Sequence, residues 1–243
     1  MVTTAIDNPK STASRVEFVL DLVCVHSYLG LTRFSRAAAE LRAAGHHVAV
    51  TFLPFQLQPD APAAGEPLRE VHRRDFGERA DEMVERMTKV GARDGLVLAF
   101  DRAIFVNTFE AHRLLVAAGR AGLAEPMAER LFRGYLTDGS NIGDAAVLER
   151  LAADVGLPPA GERWSPSDGE LRATLARVRA SGVRTLPTVR VATGPSVVPE
   201  AGGQGATTPG HAAGGAALDS YAELVGDHTT ADYRMALLGQ GAA

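Results

Sequence analysis

Cysteine is almost absent from this chain. Its 243 residues include one, Cys24, so no disulfide can form within it, and a disulfide framework or multi-cysteine zinc site is excluded. Lysine is scarce too, at positions 10 and 89 only, beside abundant Arg, Ala and Gly; this bias reflects high-GC coding more than chemistry. Long apolar runs are missing: none approaches the ~20 residues of a membrane span. Residues 1–14 are small and polar, without the basic start and apolar stretch of a secretory signal. These absences predict a cytoplasmic protein with no membrane partner. A strong charge of either sign is also missing, the net charge being −4 with no long basic stretch, which argues against nucleic-acid binding. His46 and His47 have no carboxylate or cysteine at ligand spacing, so no metal is expected there. The Gly-rich stretch 202–215 lacks the strand-turn-helix setting of a phosphate loop.

What is present reads as an α/β chain long enough to bury a substantial core. Residues 1–14 read as a frayed tail. Residues 15–22 (RVEFVLDL) are β-rich and apolar, a buried strand. A helix is predicted over 26–44, because Leu29, Phe34, Ala37, Ala38 and Leu41 recur at spacings of three and four; Gly45 caps it. Residues 47–53 (HVAVTFL) form a second strand, stopped by Pro54. Strand, helix and strand within some forty residues predict a parallel βαβ unit.

From 59 to 163 the pattern turns helical, with stretches at 68–92, 108–121, 125–136 and 144–155. Asn107 or Thr108, the Asp138-Gly139 break and Asp144 supply the start and stop signals. This block reads as an all-helical insertion into a discontinuous domain of 15–58 and 164–240. A helix at 167–181 and a Pro-initiated strand at 185–191 follow. A low-complexity loop spans 192–217. A short helix near 218–226 and a terminal helix near 230–239 close the chain. A sheet of four or five strands is expected.

The chemistry-bearing feature is the order strand, Cys24-Val25-His26-Ser27, helix. A cysteine ahead of a helix N-terminus meets the positive end of the helix dipole and free backbone N–H groups, and both favour the thiolate. A charged His26 would add to this, and Ser27 could donate a hydrogen bond. The competing reading is a small buried hydrophobe. Leu186-Pro187 before a strand is by itself weak, since most X-Pro bonds are trans. Asn107 and His112 are equally consistent with a cap and a packed ring. Trp164 reads as a packing anchor. Arg184 and Arg190 flank Leu186-Pro187 and could meet an acidic substrate group.

Several ordered motifs together carry a resemblance. DLVCVHSYLGLTRF (21–34), FLPFQLQPDAP (52–62), NTFEAHRLL (107–115), LFRGYLTDGSNIGD (131–144), LERLAADVGL (148–157) and SGVRTLPTV (181–189) are similar to segments of the DsbA family of thiol oxidoreductases, in its cytosolic FrnE branch. The resemblance implies a thioredoxin-like fold with an inserted all-helical domain. It implies that Cys24 is the nucleophile, that His26 is the variable site before the second thiol, and that Pro187 is a cis-proline. Leu186 would then offer its backbone to substrate, and Asn107 and His112 would face the cleft. Homodimerisation is expected, and an association with polyketide tailoring comes with the same resemblance.

Ser27 departs from the family, standing where the resolving cysteine should be. A Cys-x-x-Ser motif makes no internal disulfide, so any redox cycle must borrow its second sulfur. Three readings follow. One is a single-cysteine oxidoreductase with no tightly bound cofactor and a small-molecule thiol as partner. Another is a thiol-dependent isomerase or transferase acting on a small molecule, related to hydroxychromene-carboxylate isomerases, which usually have serine where Cys24 stands. The third is a non-catalytic binding or assembly protein.

Overall fold

The computed structural model describes residues 13–158, 167–192 and 221–240. Strand β1 (Ala13–Leu20) leads into helix α1 (Val25–Ala43) and strand β2 (His47–Pro54). The strands pair in parallel, with Phe18 opposite Phe52, so the βαβ unit forms as its periodicity predicts. The next segment holds β3 (Glu66–Pro67), α2 (Leu68–Phe76), α3 (Arg79–Arg93), β4 (Ile104–Phe105), α4 (Phe109–Arg120), α5 (Ala124–Leu136) and α6 (Ala145–Asp154). After it come α7 (Asp168–Ala180), β5 (Thr188–Ala192), β6 (Tyr221–Val225) and α8 (Thr230–Leu237). The main sheet has the order β2-β1-β5-β6, with β5 antiparallel to both β1 and β6.

Alternation along β1 divides the core between the two faces of the sheet. Val16, Phe18 and Leu20 belong to the large cluster shared with α1, α5 and α8. Val19 belongs to a smaller cluster with Val178 of α7, Val183, Leu186, Phe55 and Cys24. This is the period-two logic of a strand covered on both sides. Phe18 sits edge-on to Phe34 of α1 at 5.5 Å and to Phe52 at 5.8 Å, where aromatic pairs add to simple burial.

The structure corrects several expected boundaries. The helix expected over 68–92 is two, broken at Gly77, whose φ of +58° lies in the region that glycine tolerates best. The inserted segment is not purely helical, because Glu66 and Pro67 pair with Phe105 and Ile104. The short helix expected near 218–226 is strand β6. Ala222, Glu223 and Leu224 favour a helix locally, but five rungs of pairing with β5, from Tyr221 opposite Ala192 to Val225 opposite Thr188, override that preference. Strand β1 begins at Ala13, inside the expected tail, and ends at Leu20 because the chain turns at Asp21. Trp164 and most of the 192–217 loop lie outside the described residues.

Candidate active site

The turn between β1 and α1 places the thiol. The Asp21 carbonyl accepts a hydrogen bond from the Cys24 N–H at 3.0 Å, and the Cys24 carbonyl accepts from Tyr28 N at 3.2 Å. Cys24 is thus the N-cap of α1, with extended backbone (φ −86°, ψ 113°). Its side chain is 9% exposed and packs with Phe55, Val183 and Leu186. The Leu186-Pro187 bond is cis, as the resemblance implies. Pro187 lies against α1, where a Cβ on Gly30 would meet its Cγ at 2.6 Å. Thr185 and Pro187 have occupied carbonyls, bonded by Thr188 Oγ1 at 2.7 Å and Gly226 N at 2.8 Å. Among the described residues the Leu186 backbone groups between them have no hydrogen bond.

Electrostatics at the sulfur differ from the sequence expectation. Burial pushes the Cys24 thiol up, opposing the expected shift toward thiolate. The Ser27 hydroxyl and the backbone N–H groups of Ser27 and His26 pull it down, and the nearby Asp21 charge pushes it up further. The helix end therefore acts in the anticipated direction but is outweighed by desolvation. Ser27 is fully buried, and its Oγ has no hydrogen bond of ordinary geometry among the described residues, although it faces the sulfur. His26 is on the surface, yet crowding by the protein lowers its pKa; Asp227 opposes this shift and Arg86 adds to it.

The comparisons with known proteins agree with this geometry. A family model for the DSBA-like thioredoxin domain matches residues 15–201. The chain belongs to the DSBA-like thioredoxin family. Similar solved structures include a "probable DsbA oxidoreductase" from Streptomyces coelicolor, with TM-score 0.71, 22% identity, and 93% of this chain and 89% of that one covered. The cytosolic disulfide reductase DsbM from Pseudomonas aeruginosa matches with TM-score 0.51 and 22% identity over 72% of this chain and 83% of that one. A 2-hydroxychromene-2-carboxylate isomerase matches with TM-score 0.55 and 14% identity over 72% and 84%. At these identities the likeness is one of fold. A comparison with curated proteins returns no match.

In this DSBA-like chain, Cys24, Ser27, Leu186 and Pro187 come together around the start of α1. Asn107 and His112 are near but occupied. Asn107 Oδ1 accepts from Gln56 Nε2 at 3.1 Å and from Phe109 N at 2.9 Å, and its Nδ2 donates to the Pro59 carbonyl at 2.6 Å. His112 is 1% exposed, and its Nε2 donates to the Phe55 carbonyl at 3.0 Å. Both hold the loop after β2. Arg190 is buried and engaged by Glu223 at 2.8 Å, Ser181 at 3.2 Å and Glu17 at 3.7 Å. Arg184 is exposed and donates to the carbonyls of Val183 and Arg179. Among the described residues no group of three His, Cys, Asp or Glu side chains is arranged to hold a metal ion, and no helix is long and apolar enough to cross a membrane.

Sequence reasoning missed Asp21, Phe55 and Arg179. Asp21 is 1% exposed; its Oδ2 accepts from Leu57 N at 2.7 Å, and its Oδ1 lies 3.4 Å from His112 Nε2. Arg179 donates to the Gln56 carbonyl at 2.8 Å and lies over the Phe55 ring at 5.2 Å. A carboxylate directly after the apolar run Phe18–Leu20 was the available signal for Asp21, because such groups are rarely buried without a role. Phe55 and Arg179 carry no comparable mark.

Proposed function

We propose that this chain is a thiol oxidoreductase with a single working sulfur, exchanging disulfides through Cys24 with a small-molecule thiol as its second partner. The observation that carries the reading is the placement of Cys24 at the N-cap of α1 against Leu186 of the cis Leu186-Pro187 bond. In the first step the Cys24 thiolate attacks a substrate disulfide, forming a mixed disulfide and releasing one substrate thiolate. A small-molecule thiolate then attacks the substrate-derived sulfur of the mixed disulfide, carrying that half away as a new disulfide and expelling Cys24 as thiolate. No net electrons are gained or lost by the protein. Burial of the sulfur favours small substrates over protein disulfides, and the unbonded Leu186 backbone suits a substrate with peptide-like donors and acceptors.

A second reading is addition to a small electrophile. It is favoured by the burial that pushes the Cys24 thiol up, beside the Ser27 hydroxyl. Sulfur bonds to carbon, the thiol proton moves to the neighbouring carbon, and elimination after bond rotation restores both in an isomerised product. Polyketide tailoring, a cytoplasmic setting and a homodimer belong to the same proposal. The test compares wild type with Cys24→Ser and Ser27→Cys on small disulfides, with and without added thiol. Cys24→Ser should abolish exchange. Ser27→Cys should exchange without added thiol, where wild type stalls as a mixed disulfide visible by mass. Wild type cycling freely without added thiol would refute the exchange reading, and a monomer mass alone in sedimentation would refute the dimer.

A further inference from the structure

The loop that follows β2 is tied down at nearly every residue from 55 to 59. The Phe55 carbonyl accepts from His112 Nε2 at 3.0 Å, and the Gln56 carbonyl from Arg179 Nη2 at 2.8 Å. The Leu57 N–H donates to Asp21 Oδ2 at 2.7 Å, and the Pro59 carbonyl accepts from Asn107 Nδ2 at 2.6 Å. Side chains from the turn after β1, the residue before the Thr108 N-cap of α4, the first turn of α4, and α7 thus grip one short strap. Phe55 in this strap packs in the same cluster as Cys24 and Leu186, so the strap is a wall of the thiol site.

Asp21 and His112 are the buried part of this grip. Both side chains are 1% exposed, with Oδ1 and Nε2 3.4 Å apart. A carbonyl only accepts, so His112 Nε2 carries a proton. Asp21 Oδ1 and His112 Nδ1 have no hydrogen-bond partner among the described residues. A buried carboxylate is costly unless it is paired and hydrogen-bonded. Here the strap supplies the one hydrogen bond each side chain makes among the described residues: the Leu57 N–H for the carboxylate and the Phe55 carbonyl for the imidazole. Lifting the strap would strip both groups at once.

We propose that Asp21 and His112 act together as positioning residues that lock the 55–59 strap over Cys24 and so govern how readily a small molecule reaches the sulfur. The functional meaning rests on the reading of Cys24 as the reactive thiol, but the lock itself is readable without any turnover. The charged side chain acting on the sulfur is Asp21, just after β1, while His26 contributes its backbone N–H; Arg179 of α7 lies over the Phe55 ring, and Tyr135 of α5 feels the Asp21 charge.

The test is the rate of Cys24 alkylation by iodoacetamide, a neutral reagent, in the full chain across pH, followed by intact mass. The midpoint of the profile reads ionisation and the plateau reads access. His112→Ala should raise the plateau about tenfold, the factor equivalent to one lost hydrogen bond, and His112→Gln, which keeps a donor for the Phe55 carbonyl, should restore protection. Asp21→Asn keeps an acceptor for Leu57 and removes the charge, so it should move the midpoint down, which a merely structural residue would not do. Leu151→Ala, in α6 away from the strap, loosens the fold globally and should alkylate at the wild-type plateau. A folded His112→Ala protein at the wild-type plateau, or equal acceleration by Leu151→Ala, would overturn the lock. If His112→Ala does not fold, an Asp21→Ala protein, which takes the acceptor from the Leu57 N–H, alkylating at the wild-type plateau overturns it instead. Failure of disulfide exchange alongside the expected alkylation pattern would sink the oxidoreductase reading and leave the lock standing.

Discussion

At the scale of single residues, the balance at Cys24 is between a helix terminus that favours charge and a burial that opposes it. Burial is the larger effect, so alkylation of wild type should have its midpoint above the ~8.5 of a free thiol. Ser27→Ala removes a hydroxyl that lowers the thiol pKa and should move the midpoint higher still. The same shift is a stability statement. A thiol whose folded pKa exceeds its unfolded value stabilises fully below the unfolded value, and the contribution is lost as pH rises through the folded one. Denaturant midpoints of wild type should therefore fall above about pH 8.5, and Cys24→Ser should flatten part of that fall. Gly30 is the other decisive residue. Its missing Cβ makes room for Pro187, with 2.6 Å to Cγ, and for the Tyr233 hydroxyl at 3.1 Å. Gly30→Ala should cost about 1–3 kcal/mol through overpacking, read as a lowered Tm; an unchanged Tm would show that Pro187 has room to move.

At the scale of elements, helix starts were readable wherever a short polar side chain closes the first turn. Asp144 accepts from Val147 N at 2.9 Å, as its position ahead of an apolar helix predicts. Asp144→Ala should cost about 1 kcal/mol, measurable by urea denaturation; a loss within error would mean solvent caps α6 equally well. Capping boxes at Ser167 with Glu170 and at Thr229 with Asp232 define the starts of α7 and α8 in the same way. Strand β6 was not readable. Its helix-favouring centre becomes a strand because β5 offers an unpaired edge, and the Arg190–Glu223 contact across that pair at 2.8 Å strengthens the pairing. The partner of Asp21 was also hidden: a carboxylate at a strand end signals a role but not which group it will bond.

At the scale of the molecule, the inserted helices and the sheet share one core. A single cluster runs from Val16 and Phe52 in the sheet through Phe34 of α1 to Leu114, Leu131 and Leu151 in the inserted helices. Tyr28 of α1 stacks on Phe132 of α5 at 5.1 Å. Arg33 of α1 bonds Asp94 at the end of α3 at 2.9 Å and also Asp227 before α8. Shared burial couples the parts, so urea unfolding followed by far-UV circular dichroism and by tyrosine fluorescence should give one coincident transition. Two separated transitions would show that the inserted segment folds as an independent unit.

The sequence by itself determined the βαβ start, the helical character of the insertion, the placement of the one thiol at a helix N-terminus, and the absence of a second thiol to resolve it. These follow from periodicity, capping chemistry and a count of cysteines, all of which act over a few residues. Only the tertiary structure decided that burial outweighs the helix terminus at the Cys24 thiol, that Asn107 and His112 grip a strap, and that Asp21 lies beneath it. Each depends on groups far apart in the chain, such as residue 21 beside residue 112 and residue 56 beside residue 179. Desolvation and buried pairing arise from which surfaces meet, and no local pattern records that.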